Sequence, residues 1–199
     1  MQMLEKVEQY CSTLLKGISI SKLPFHNIQH TESVISNVAT ICRSVSMSKD
    51  EMEPILLAAW FHDTGFIDSY KGHETRSCEI ARNFLKKEGY KTQRLSIVIS
   101  CIMATRLPQS PNNLEQGILC DADLFHLGCT DYFYWQTLLR KEWEVAMDKA
   151  FGDKEWYELN LEFLSSHKFQ TPYGLNALNV IKRNNKKRLI HLIESSKTK

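Results

Sequence analysis

Four side chains in this sequence have the types and placing to hold a divalent cation: His30, His62, Asp63 and Asp123. His30 lies four residues before Val34 and eight before Val38, so it extends an apolar helical stripe and must point inward. His62 and Asp63 end the most hydrophobic helical run of the chain, ILLAAWFHD, and Asp123 sits in another mostly apolar segment, GILCDADLFHLG. Burying a carboxylate in such company costs several kcal/mol unless it is paired or bound to metal. Two imidazoles and two carboxylates converging in a helical core suit a cation of borderline hardness, with water in its open positions. Spacing alone also admits hydrogen-bonded core groups, and that plainer reading is preferred for His167 and His191, which lack patterned partners.

The elements that must position these groups are helical. Leu4, Val7, Cys11, Leu14 and Leu15 form one stripe of a helix ending near Gly17, and Val34, Val38, Ile41 and Val45 form the stripe of a second over 31–47. Ser48 and Glu51 have the spacing of a capping box, but Pro54 argues for a later start to the third helix. Further helices are expected at about 74–88, 92–105, 114–128, 130–151, 153–166 and 174–195, with Gly65, Gly89, Pro108, Pro111, Gly152 and Pro172 at the breaks. RLSIVISCIM is rich in Ile and Val but has no partner strand, so it too is read as helix. The expected fold is all-α, a single-domain helical bundle over 1–199 with its motif core at about 25–128 and helices 130–195 packing on it.

Composition bounds the function. Of 199 residues, 43% are hydrophobic and 24% charged, ordinary for a globular chain. A formal net charge of +2 is too small for a nucleic-acid-coating surface. Six cysteines without CxxC pairing read as small buried hydrophobes rather than a disulfide scaffold. No apolar run approaches a membrane span and the N-terminal charges do not suit a signal peptide, so a cytoplasmic location is expected, with no membrane partner. Lys182, Arg183, Lys186, Lys187 and Arg188 make the one basic cluster; a solvated helix face is preferred over an anion-binding rim, for which Arg76 and Arg106, nearer the motifs, are at least as good candidates.

The segments FHNIQH (25–30), AAWFHDTG (58–65) and CDADLFHLG (120–128) resemble, in order and separation, the successive motifs of HD-domain phosphohydrolases. A lone His-Asp dipeptide would carry little; the ordered set of three carries much more. The resemblance implies an all-α fold and metal ligands at His30, His62, Asp63 and an aspartate of CDAD. Asp123 matches the family string better than Asp121, which is expected beside the site or capping a helix. The implied cofactor is a divalent metal ion (Mn, Mg, Fe, Co, Ni or Zn), and the implied activity is hydrolysis of a phosphate ester by metal-activated water. The implied partner is a small phosphorylated substrate such as a nucleotide; a homo-oligomer is left open.

Phe25-His26-Asn27 resembles the motif in which related cyclic-nucleotide phosphodiesterases carry their general acid, which makes His26 a catalytic candidate, while His26 and Asn27 also read as a helix cap. Asp63 would orient the attacking water, and His73 and Glu74 would line the pocket, His73 as the other candidate acid. Glu74 reads equally as a first-turn helix residue favoured by the dipole. Two departures stand out: Phe66 occupies the place where some nucleotidases of the family keep a catalytic Glu, and ATRLPQSP (104–111) replaces the His-His pair of dinuclear relatives. One metal is therefore expected. The rival readings are an HD-type diiron oxygenase and a non-catalytic nucleotide-binding module.

Overall fold

The computed structural model describes residues 2–17 and 22–196. Among them are nine α-helices: α1 Met3–Lys16, α2 Ile28–Ser44, α3 Lys49–Phe61, α4 His73–Lys87, α5 Thr92–Ala104, α6 Leu114–Asp123, α7 Tyr132–Met147, α8 Asp153–Ser166 and α9 Asn179–Ser195. Two 3-10 turns, Thr64–Ile67 and Leu124–Gly128, follow α3 and α6, and a π-helical turn, Gly174–Leu178, leads into α9. No strand occurs among the described residues, so the all-α expectation holds, RLSIVISCIM included.

α3 runs through the middle of the N-terminal half and touches α1, α2, α4, α5 and α6. Its Ile55, Leu57, Ala58, Ala59 and Phe61 are wholly buried, which explains why this segment is apolar almost all round. Each large side chain among them stabilises by roughly 1.5–3 kcal/mol through burial. Five cysteines are buried and Cys129 is partly so, all of them free. A second apolar cluster, built from Leu127, Tyr132, Leu164, Phe169, Leu178 and Leu189, lies among α7, α8 and α9. Phe125 and Tyr173 pack against both clusters, so the C-terminal helices close over the 3-10 turn that follows α6.

Three sequence expectations need correction. The start of α3 is not delayed by Pro54: Ser48 and Glu51 form the capping box, and Pro54 sits inside the helix. The proline leaves the Asp50 carbonyl without its helical donor; the Arg94 guanidinium supplies one at 2.6 Å while also reaching the Asp50 and Glu53 carboxylates. The helix expected over 114–128 is α-helical only to Asp123 and then tightens into the 3-10 turn. His191 is exposed rather than a core residue, whereas His167 is half-buried beside the Lys182 ammonium, 3.1 Å from its Nδ1.

The basic cluster on α9 behaves as the solvated face expected, except that Lys182 is buried and donates to the His167 carbonyl at 2.6 Å. Asn185, between the cations, is buried as well and donates to the carbonyls of Leu127 and Cys129. No helix among the described residues is long and apolar enough to cross a membrane.

The role given to Arg94 is testable. Arg94→Met should lower the stability measured by urea unfolding by about 1 kcal/mol, and the loss should shrink when Pro54 is also replaced by Ala, which restores the helical donor.

Candidate metal centre

Each of the four candidate ligands stands at the end of an element, where the backbone leaves its regular path. Asn27 caps α2, its side-chain oxygen accepting from the amides of Gln29 and His30, and this cap sets the turn from which His30 projects. His62 follows the last residue of α3, and its Nδ1–H donates to the Ala59 carbonyl at 2.7 Å. That bond fixes the ring and leaves Nε2 to face the cluster. Asp63 lies between α3 and the first 3-10 turn, and Asp123 is the last residue of α6. Ser77 of α4 steadies the His62–Asp63 corner by donating to the His62 carbonyl at 2.6 Å and accepting from the Gly65 amide at 2.9 Å. Gly65 is required there, since a Cβ would come within 2.0 Å of the His73 carbonyl oxygen.

The four side chains converge. His30 Nε2 lies 3.2 Å from Asp123 Oδ1 and 3.5 Å from Asp63 Oδ2. His62 Nε2 lies 3.2 Å from Asp63 Oδ2 and 3.8 Å from Asp123 Oδ1. Ligands about 2.0–2.2 Å from a common cation stand about 3.0–3.5 Å apart, so these separations suit one ion. His30, His62 and Asp123 form a trio whose ligand atoms all lie within 4.8 Å of one another.

Two buried atoms in the cluster, His62 Nε2 and Asp63 Oδ2, have no hydrogen-bond partner. A lone pair and a carboxylate oxygen left without partners in a core cost 1–3 kcal/mol or more each, and a cation between them removes that cost. The donor set and these orphaned atoms fit a divalent metal.

Electrostatics point the same way. Burial pushes the His62 imidazolium down, but Asp63 and Asp123 outweigh it and raise the group to about 9. Burial would likewise raise both carboxyls, yet the surrounding imidazoles hold Asp63 and Asp123 below the ordinary carboxylate range. The carboxylates thus demand positive charge, from imidazolium or from a metal ion. His126, buried beside His30, is pushed down to about 3 by burial and by its cationic neighbours, so it stays neutral near pH 7.

Asp121 is elsewhere. Fully buried, it accepts from the amides of Gln170 and Thr171 at 2.8 Å each and from the Thr171 hydroxyl at 2.6 Å. Burial raises its pKa although these bonds oppose the shift. It locks the segment before the π-helical turn onto α6, where a Cβ on Gly174 would come within 2.3 Å of its Oδ2.

His26 sits outside α2, before the Asn27 cap, with its ring centroid 5.7 Å from that of His30. Glu142 of α7, wholly buried, accepts from the amides of Phe25 and His26 at 2.9 Å, from the Tyr70 hydroxyl at 3.1 Å, and pairs with His26 Nδ1. Burial alone would depress His26, but Glu142 raises it, and His26 in turn holds Glu142 low. Sequence reasoning missed Glu142. Its one trace is position: it falls on the buried face of α7 with Tyr132 and Gln136, where an unpartnered carboxylate would be costly.

His73 and Glu74 open α4. His73 Nε2 lies 3.6 Å from Asp63 Oδ1 and 3.8 Å from Glu74 Oε1. Phe66 is stacked between the rings of His73 and His26, at centroid distances of 3.8 and 4.5 Å. An aromatic spacer thus fills the position where a carboxylate was looked for. Arg76 is tied to Asp68 and Glu79 on the surface, while Arg106 borders the cavity beside the cluster.

The HD domain family model matches residues 27–128, the span that carries all four converging side chains. The chain belongs to the HD domain family. Two solved structures share the fold. A predicted HD superfamily hydrolase from an uncultured Thermotogales bacterium is 19% identical, with a TM-score of 0.56 over 81% of this chain and 89% of that one. A structural-genomics protein from Lactobacillus plantarum is 11% identical, with a TM-score of 0.68 over 98% and 95%. No curated protein matches the sequence.

The contrast between the two aspartates yields a prediction. Asp121→Ala should lower folding stability by about 3 kcal/mol, because three donors, the two of Thr171 buried, lose their acceptor. Urea unfolding checks the size, and amide exchange that quickens more at Gln170 and Thr171 than in α6 locates the loss.

Proposed function

We propose that this HD domain protein is a metal-dependent phosphohydrolase that cleaves the ester of a small organic phosphate, nucleotides among the candidates. The observation that carries the reading is the convergence of His30, His62, Asp63 and Asp123 around two orphaned buried atoms, His62 Nε2 and Asp63 Oδ2. In this reading those four residues hold one divalent cation. A bound divalent cation supplies Lewis acidity toward a phosphoryl oxygen and hydroxide at neutral pH. Asp63 has an oxygen turned to each side, one toward the histidine pair and one toward His73, which suits it to orient the attacking water.

His26 is the better candidate for the acid. Its Nδ1 is engaged by Glu142, so Nε2 is the atom that offers a proton to the leaving oxygen as the phosphorus–oxygen bond breaks. The paired carboxylate favours the protonated ring against the opposing effect of burial, and that is the state an acid needs. His73 and Glu74 border the same space and contact the substrate rather than the metal. Neither the diiron oxygenase nor the non-catalytic module gains support from any feature of the site.

Metal analysis of the purified protein and phosphate release with Mn, Mg, Co, Ni and Zn test the reading. About one ion per chain is expected, lost in His62→Ala and Asp123→Ala but kept in Asp121→Ala. His26→Gln should keep its metal and lose about 10²–10⁴-fold in kcat. Glu142→Gln should lose less and move the alkaline limb of the pH–rate profile to lower pH, because His26 loses the carboxylate that raises it, as befits a positioning residue. A metal-free protein that releases no phosphate, or an Asp123→Ala variant as active as the parent, overturns the proposal.

A further inference from the structure

The candidate centre opens into a cavity of about 690 Å³, well within the size range of small-molecule sites. Asp63, His73 and Asp123 border one part of it; Phe25, Phe66, Leu139, Trp143, Trp156 and Phe163 line much of the rest. Leu107, Met147 and Leu159 also border the cavity while 56%, 50% and 39% exposed, which places them at its mouth. Large apolar side chains held in water around an apolar chamber are a costly arrangement for a surface that meets nothing but solvent.

The charges in this lining are sparse and of the wrong sign for a polyanion. Besides the His26 ring at the metal end, Lys71 and Arg106 are the bordering cations, and both are exposed, where solvent and salt screen them. Four carboxylates, Asp63, Glu74, Asp123 and Glu162, border the same cavity. One phosphoryl group can be neutralised at the metal end. A second or third phosphate would meet aromatic rings or carboxylates instead of the cationic forks that bind such groups.

Resting on the phosphohydrolase reading above, we infer that the substrate is a monophosphate ester of a bulky apolar alcohol, its uncharged body filling the chamber among Leu139, Trp143, Trp156 and Phe163. The site selects against nucleoside di- and triphosphates. Selectivity in this scheme resides in KM, because the apolar body is bound equally before and during bond cleavage.

The test is a chain-length series. Phosphate release by the Mn-loaded full chain is measured with methyl, butyl, octyl and dodecyl phosphate, and with AMP and ATP. In parallel, quenching of tryptophan fluorescence reports binding of the matching uncleavable alkylphosphonates, since Trp143 and Trp156 line the chamber. Each methylene buried is worth up to roughly fourfold in affinity. From methyl to octyl, kcat/KM should therefore rise by about a hundredfold or more, mostly through KM, and octyl phosphate should exceed ATP. Ala146→Trp, which puts bulk into the chamber, should collapse the octyl-to-methyl ratio.

A flat length series in both turnover and binding, or a preference for ATP, overturns the inference while leaving the hydrolytic reading intact. Length-dependent phosphonate binding with no phosphate release from any ester overturns the hydrolytic reading and supports the assignment of the chamber. Should Ala146→Trp fail to fold, the length dependence of the unmodified protein still decides.

Discussion

Two carboxylates, Asp63 buried and Asp123 largely so, stand among apolar helices, and everything near them is arranged to compensate their charge. Asp63 and Asp123 sit between His30 and His62, in a setting where uncompensated charge would outweigh several buried leucines. The elements around them are placed accordingly: the capped start of α2, the buried turn at the end of α3, and the end of α6 meet where each helix runs out. Helix ends give side chains directions that helix middles do not, and the four groups use three of them.

The C-terminal half is tied to this centre through polar groups as much as through its own apolar cluster. Glu142 gathers two amides, an imidazole and a phenol from the other half of the chain, so α7 fixes where Phe25 and His26 stand. Asn185 does similar service beneath the turn that follows Asp123, accepting no charge but saturating two carbonyls. Such buried networks are of high consequence because each member, once deprived of its partner, is left in a low dielectric. Polar side chains reaching in from α7 and α9 thus hold Phe25, His26 and the turn after Asp123 in place.

Much of this was legible from residue order. Helical periodicity located the elements, and the inward-facing stripe singled out His30 because its neighbours at four and eight residues are apolar. The two aspartates of CDAD part company in the fold, which brings Asp123 to both histidines and sends Asp121 to the backbone at 170–171. What stayed hidden depends on pairing across the chain. Nothing local announces that Glu142 will meet His26, more than a hundred residues away, nor that Arg94 will replace the donor missing at Pro54. Phe66 looked like an absence, a carboxylate not there, whereas in the fold it is a spacer between two imidazoles. The start of α3 differs from expectation for the opposite reason: a local rule about proline would delay it, and a distant side chain overrides that rule.

α6 carries its two aspartates two positions apart, and on a helix such neighbours face in different directions. One reaches the histidines and the other grips the segment before the π-helical turn, so the same ten-residue helix is indexed from both sides. Replacing an exposed residue on it leaves both grips in place. Inserting or deleting a single residue between Asp121 and Asp123 would turn one aspartate relative to the other by about 100° and disengage one grip or the other. Between the two aspartates the protein's lineage is not free to change length.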